Sequence, residues 1–149
     1  MSMQSIKGGF TLVELMVTIA ILAIVAMIAA PSMTSMRYNQ ELKEQERKIS
    51  LILSDARSNS KALNKPMHVY FTAPNSSSDS SNIFYFEVDP EKFDFNMQGE
   101  KISFRNNGVL DVSSACIQLE HIKSKKVKSI TLNHLGMQQL ADTKCGGAV

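Results

Sequence analysis

From Phe10 to Ala30 the chain runs through 21 mostly apolar residues, FTLVELMVTIAILAIVAMIAA, with one carboxylate, Glu14, set into the front end. At 1.5 Å per residue such a run makes a helix of roughly 31 Å, the thickness of a bilayer's hydrocarbon core. A charge inside a segment of that length costs on the order of 3 kcal/mol or more. A secretory signal peptide has a shorter apolar core followed by a small-residue cleavage site. Here the core is too long, and Pro31 directly after Ala29-Ala30 disfavours a cut there. A plain membrane anchor fits the length but leaves Glu14 unexplained. A third reading places the cleavage ahead of the apolar run, where Gly8-Gly9 offers a protease a backbone without side chains.

After the apolar run roughly 120 residues follow, enough for one small soluble core. The formal net charge of +2 is too near zero to point by itself to nucleic acid or acidic lipid. From Ser32 to about Asn64 the pattern is an amphipathic helix. Leu42, Ile49, Ala56 and Leu63 recur every seven residues, Ile52 and Leu53 fill the same side, and Glu44 and Lys48 are spaced for an i,i+4 ion pair. The charged stretch from Arg37 to Lys48 reads as a solvated face, and Lys65-Pro66 ends the helix.

After Pro66 the period changes to two. Strands are expected at 67–72 (MHVYFT), 83–88 (IFYFEV), 115–122 (ACIQLEHI), 128–133 (KSITLN) and 137–140. Residues 101–105 and 109–112 are expected to form a hairpin around Asn106-Asn107-Gly108, with Asn-Gly supplying the positive φ. Residues 73–82 (APNSSSDSSN) form a polar loop, and Asp89-Pro90-Glu91 turns the chain. One long helix followed by short strands gives an α+β fold, a long N-terminal helix packed on a small antiparallel sheet domain.

No catalytic constellation is found. His68, His121 and His134 are far apart without a second ligand at metal spacing, so no catalytic residue, metal or cofactor is expected, nor an enzyme. One run stands out: Lys123-Ser124-Lys125-Lys126-Val127-Lys128 puts four lysines in six residues of an expected loop. They could touch phosphates, but no aromatic residues interleave to stack bases, and a solvated turn is the plainer reading.

The segment Gly8-Gly9-Phe10-Thr11-Leu12-Val13-Glu14, with Lys7 before it and Pro31 after it, closely resembles the type III signal of type IV pilins and type II secretion pseudopilins. The resemblance implies a leader of residues 1–9, cut after Gly9 by prepilin peptidase, and N-methylation of the new terminus, Phe10. It implies that Glu14, fifth in the mature chain, pairs with an N-terminal amine of a neighbouring subunit, and that Pro31 bends the helix. A charge that finds its partner only in the filament penalises wrong registers. The resemblance divides the chain into a leader (1–9), a transmembrane and filament-core helix (10–31), an amphipathic helix (32–66) and an antiparallel sheet domain (67–149). It also settles orientation. Lys7 is outnumbered by Arg37, Lys43, Arg47 and Lys48, so charge alone would keep the C-terminal side in the cytoplasm, whereas the family exports it. In the periplasm Cys116 and Cys145 would pair, closing a loop of about 30 residues worth about 3 to 4 kcal/mol. Two free buried thiols are the alternative.

Within that group the layout most resembles minor pilins of the GspH/FimT/FimU type. It implies an inner-membrane protein that joins a pilus tip, with minor pilins, the major pilin and the assembly platform as partners and roles in twitching, adhesion and DNA uptake. A DNA-receptor reading would use Lys123, Lys125, Lys126 and Lys128. The Gly-Arg-x-Arg motif of DNA-binding relatives is here Gly136-Met137-Gln138-Gln139, without either arginine. A type II secretion pseudopilin is the third reading.

Overall fold

The long helix α1 spans Leu12–Ala62. The computed structural model describes residues 10–71 and 82–146, and of residues 29–32 the backbone alone. Two compact units divide the chain, Met1–Arg37 and Tyr38–Val149. In the first, the helix is apolar on all sides, and every described side chain from Phe10 to Ile28 is exposed. Among the described residues no single helix is long and apolar enough to cross a membrane, whereas Leu12–Ile28 and Met33–Ala62 together meet that test.

In the second unit α1 turns amphipathic and buries Leu42, Ile49, Leu53 and Ala56. Leu63 departs from the expected heptad and is 57% exposed, because the helix has already ended. Asn64 takes a left-handed φ of 51°, and the Lys65 amide donates to the Ser60 carbonyl at 3.2 Å, the geometry of a Schellman cap. Pro66 then prevents continuation.

Seven strands follow: β1 Met67–Tyr70, β2 Ile83–Tyr85, β3 Phe93–Met97, β4 Lys101–Phe104, β5 Ser114–His121, β6 Val127–Asn133 and β7 Gln138–Ala141. They form two sheets, ordered β2-β1-β4 and β3-β5-β6-β7. The architecture is α+β and mostly antiparallel, but β1 and β2 pair in parallel, His68 opposite Ile83. The connection between them has the dozen residues a parallel crossover needs; the polar loop expected at 73–82 falls almost entirely outside the described residues.

The hairpin after β4 is also slighter than expected. Residues 109–112 form no strand, only a bridge between Phe104 and Leu110. The turn itself is present. The Gly108 amide donates to the Arg105 carbonyl, the Arg105 amide to the Val109 carbonyl, and Gly108 alone carries the positive φ, 76°. That is a three-residue loop with a glycine bulge. The turn from Asn133 to Met137 repeats this scheme, with Gly136 at φ 73°.

The core joins the buried face of α1 to both sheets, through Met67, Val69, Ile102, Phe104, Leu110, Ile117, Leu119, Ile130 and Leu132. Gln138 ties β7 to α1, its amide nitrogen donating to the Ser50 carbonyl and Ser54 Oγ, both at 3.0 Å.

Candidate functional site

The N-terminal candidates begin at the edge of the described residues. Gly9 and the leader 1–9 lie outside them; Phe10 is 83% exposed. Thr11 precedes the first helical residue, and its Oγ1 accepts the Glu14 backbone N–H at 3.2 Å, while its carbonyl accepts from Leu15. Thr11-Leu12-Val13-Glu14 thus has the Ser/Thr-x-x-Glu spacing of a capping box. The sequence reading missed Thr11 as a site residue, although this spacing was visible. Glu14 lies in the first turn, where the helix dipole favours an anion, and its side chain is exposed. Apolar side chains surround it on the same rod: Leu12, Val13, Leu15, Met16 and Val17 are all exposed. Pro31 stands within the helix, but its side chain, and the bend expected there, lie outside what is described.

The two cysteines are joined, Cys116 on β5 to Cys145 at an S–S distance of 2.02 Å. The Cys145 amide also donates to Gln118 Oε1 at 3.2 Å. Tail and sheet are therefore held together both covalently and by a hydrogen bond.

The lysine run divides. Lys123, Lys125 and Lys126 occupy the exposed β5–β6 turn. Lys125 takes a φ of 55° and its amide donates to the His121 carbonyl at 2.8 Å. Lys128 belongs to β6 and corrects the expectation of four solvated lysines. Its side chain is only 15% exposed, with Nζ 3.1 Å from Glu46 Oε2 and bonded to Asp142 as well. Burial presses the Lys128 pKa down, but hydrogen bonds to Asp142 and Glu46 outweigh it and raise it above the ordinary lysine value. The bond from Lys128, and then its charge, holds the Asp142 carboxyl below the ordinary range. A lysine so engaged is not a phosphate ligand in waiting.

His121 is the side chain whose importance the sequence concealed. It is 1% exposed, packed between Tyr38 and Phe93. Its Nδ1 accepts from the backbone amides of Lys123 (3.2 Å) and Ser124 (3.4 Å), and Nε2 faces Glu41 Oε2 at 3.4 Å. Two donors aimed at Nδ1 place the ring proton on Nε2, so His121 fixes the base of the lysine turn. His68 Nδ1 meets Ser103 Oγ at 2.8 Å, and its pKa is lowered by burial and then by Lys101. His134 Nδ1 donates to the Val112 carbonyl at 3.3 Å. Among the described residues no three metal-ligating side chains converge. In Gly136-Met137-Gln138-Gln139, Gln138 is occupied by α1 as above, and Met137 is exposed.

The model of the prokaryotic N-terminal methylation motif matches residues 5–30. No curated protein and no solved structure matches the chain. The motif is that of a type IV pilin leader, and here it runs into α1, whose later part packs on an antiparallel-rich sheet domain closed by a disulfide. Such a leader implies processing by a prepilin peptidase, anchoring in the inner membrane and assembly with other pilins.

Proposed function

We propose that the chain is a type IV pilin-like protein, as the methylation motif supports, and within that group a minor pilin of FimU- or FimT-like layout that helps initiate a type IV pilus and joins its tip complex. The observation that carries this reading is the methylation motif over 5–30 on a helix whose described apolar residues are exposed all round. An apolar surface of that extent requires a cover. Lipid supplies it before assembly and neighbouring apolar helices supply it afterwards. Glu14 then meets a neighbour's N-terminal amine, and its desolvation cost is offset only in the correct register. The sheet domain, exported to the periplasm, packs sideways on other minor pilins. The lysine turn and the exposed positions of 136–139 are not needed for this role.

Mass spectrometry of the chain extracted from cells tests the processing step: the polypeptide is expected to begin at a methylated Phe10, and an intact start overturns the reading. A deletion strain is then scored for surface pili, twitching, DNA uptake and type II secretion together. Loss of pili and twitching supports the minor pilin. Loss of DNA uptake with normal pili selects the DNA-receptor reading. Loss of secretion alone selects the pseudopilin.

A further inference from the structure

The net charge of +2 conceals a local imbalance. Where the unit Tyr38–Val149 begins, its helix lies beside the β5–β6 turn. Tyr38 stands 4.7 Å from the His121 ring. Asn39, Leu42 and Lys43 share a surface cavity of about 480 Å³ with Lys126, Val127 and Lys128. Lys43, Lys123, Lys125 and Lys126 are thereby gathered at one end of the unit, all exposed.

Most carboxylates at this end have a partner, whereas Asp94, exposed and lining one cavity with Ile122 and Lys125, has no ion pair among the described residues. Glu41 faces His121, Asp142 is bonded to Lys128, and Glu120 is shared between Lys125 at 3.9 Å and Lys144 at 3.6 Å. Among the described residues Lys43, Lys123 and Lys126 form no direct ion pair, although Asp142 shares the cavity with Lys43 and Lys126 and their charges lower its pKa after that of Lys128. At the foot of the lysines sits an aliphatic side chain, Ile122, 37% exposed. In sequence, Tyr38 comes ten positions after Ile28, the last residue of the apolar run whose side chain is described. The length of chain between the apolar run and the start of this unit is therefore short.

We infer that this basic end docks on anionic phospholipid headgroups, with Lys43, Lys123, Lys125 and Lys126 on phosphates and Ile122 at the edge of the acyl region. The inference rests on the proposed membrane-held state before assembly. A part-exposed aliphatic side chain beside lysines suits a lipid boundary, whereas single-stranded nucleic acid calls for aromatic faces on which bases stack. Docking would hold the domain against the bilayer until other subunits compete for it.

The chain contains no tryptophan, so Ile122→Trp installs a sole reporter. The full-length variant is reconstituted in vesicles of phosphatidylcholine alone or with phosphatidylglycerol, each carrying a headgroup spin-labelled quencher lipid. Quenching is expected only with phosphatidylglycerol and disappears at high salt, which screens exposed charges within a few ångströms. Lys43→Gln, Lys123→Gln, Lys125→Gln and Lys126→Gln each lower the docked-to-free ratio about five-fold, the factor for one lysine near an anionic surface. Lys65→Gln, beyond the far end of α1, leaves quenching unchanged. Equal quenching in both vesicles, or quenching indifferent to the four lysines, overturns the inference. A response to duplex DNA beside neutral vesicles with none to phosphatidylglycerol overturns it in favour of nucleic acid. Flotation of the same samples separates the two levels: a chain that floats without lipid-dependent quenching defeats only the docking, and one that does not float defeats the membrane-held state as well.

Discussion

Lys128 shows how a single side chain changes meaning between the sequence and the fold. In the sequence it closes a run of four lysines; in β6 it joins Glu46 on α1 to Asp142 in the tail. Glu46 is buried, and removing the partner of a buried charge costs far more than the pair contributes over neutral packing. The pH dependence follows from the two shifts. Asp142 has a lowered pKa, so its contribution is fully present above the ordinary aspartate value of 3.8 and is lost as pH falls through its folded value below that. Lys128 has a raised pKa, so its contribution is fully present below 10.5 and is lost as pH rises through its folded value above that. Asp142 is 81% exposed, so solvent screening keeps its effect small. The expected outcome is that Asp142→Asn lowers the urea midpoint slightly at neutral pH, and that this difference from the parent chain shrinks as the pH is taken below 3.8. A difference unchanged at low pH would mean that the Lys128–Asp142 bond is not the source. What the sequence withheld here is direction: spacing shows that lysines are near one another, but the alternation of β6 decides which of them turns toward α1.

Among the elements, those legible in advance were the ones whose burial repeats with a fixed period. Leu42, Ile49 and Ala56 marked the buried stripe of α1, and the alternation of Cys116 to Glu120 marked β5. Strand β3 was missed although Phe93, Phe95 and Met97 alternate with Asp94 and Asn96. The parallel β1–β2 pair could not be read, because neither short strand carries a mark of its partner's direction. Cysteine pairing rested on the compartment, and the fold supplies the geometry, linking β5 to the tail just beyond β7. The bond spans a sequence separation of 29, and loss of such a closure destabilises by about 3–4 kcal/mol in the chain-entropy model. Cys145→Ser is expected to shift urea unfolding by that amount and to raise hydrogen exchange at Cys145 and Gly146 before it does so in β5. Uniform loss of protection across the four-stranded sheet would instead make the tail part of the sheet's own folding unit.

For the whole molecule, the leader resemblance was legible because it is short, local and chemically unusual, whereas the division of the strands into two sheets depends on long-range pairing. The same locality leaves two roles superimposed on one turn of helix. Glu14 receives the cap of Thr11 through its backbone amide, while the proposed assembly role belongs to its carboxylate, so the two are separable by substitution. Thr11→Val removes the side-chain acceptor but keeps the carboxylate; a lost cap of this kind costs about 1 kcal/mol, spread over a helix that lipid or neighbours already cover. Glu14→Gln keeps the cap and nearly the same shape but removes the charge. If register in the fibre is set by the carboxylate, Glu14→Gln is cleaved after Gly9 at the parental rate yet falls in sheared pili by about ten-fold, which corresponds to about 1.4 kcal/mol of lost pairing. Thr11→Val is incorporated within about two-fold of the parent, well inside the effect of a weakened cap. Immunoblots of whole cells and sheared fibres, read together, check both. Equal depletion by the two variants would assign the effect to the geometry of the first turn, and normal incorporation of Glu14→Gln would remove the carboxylate from assembly.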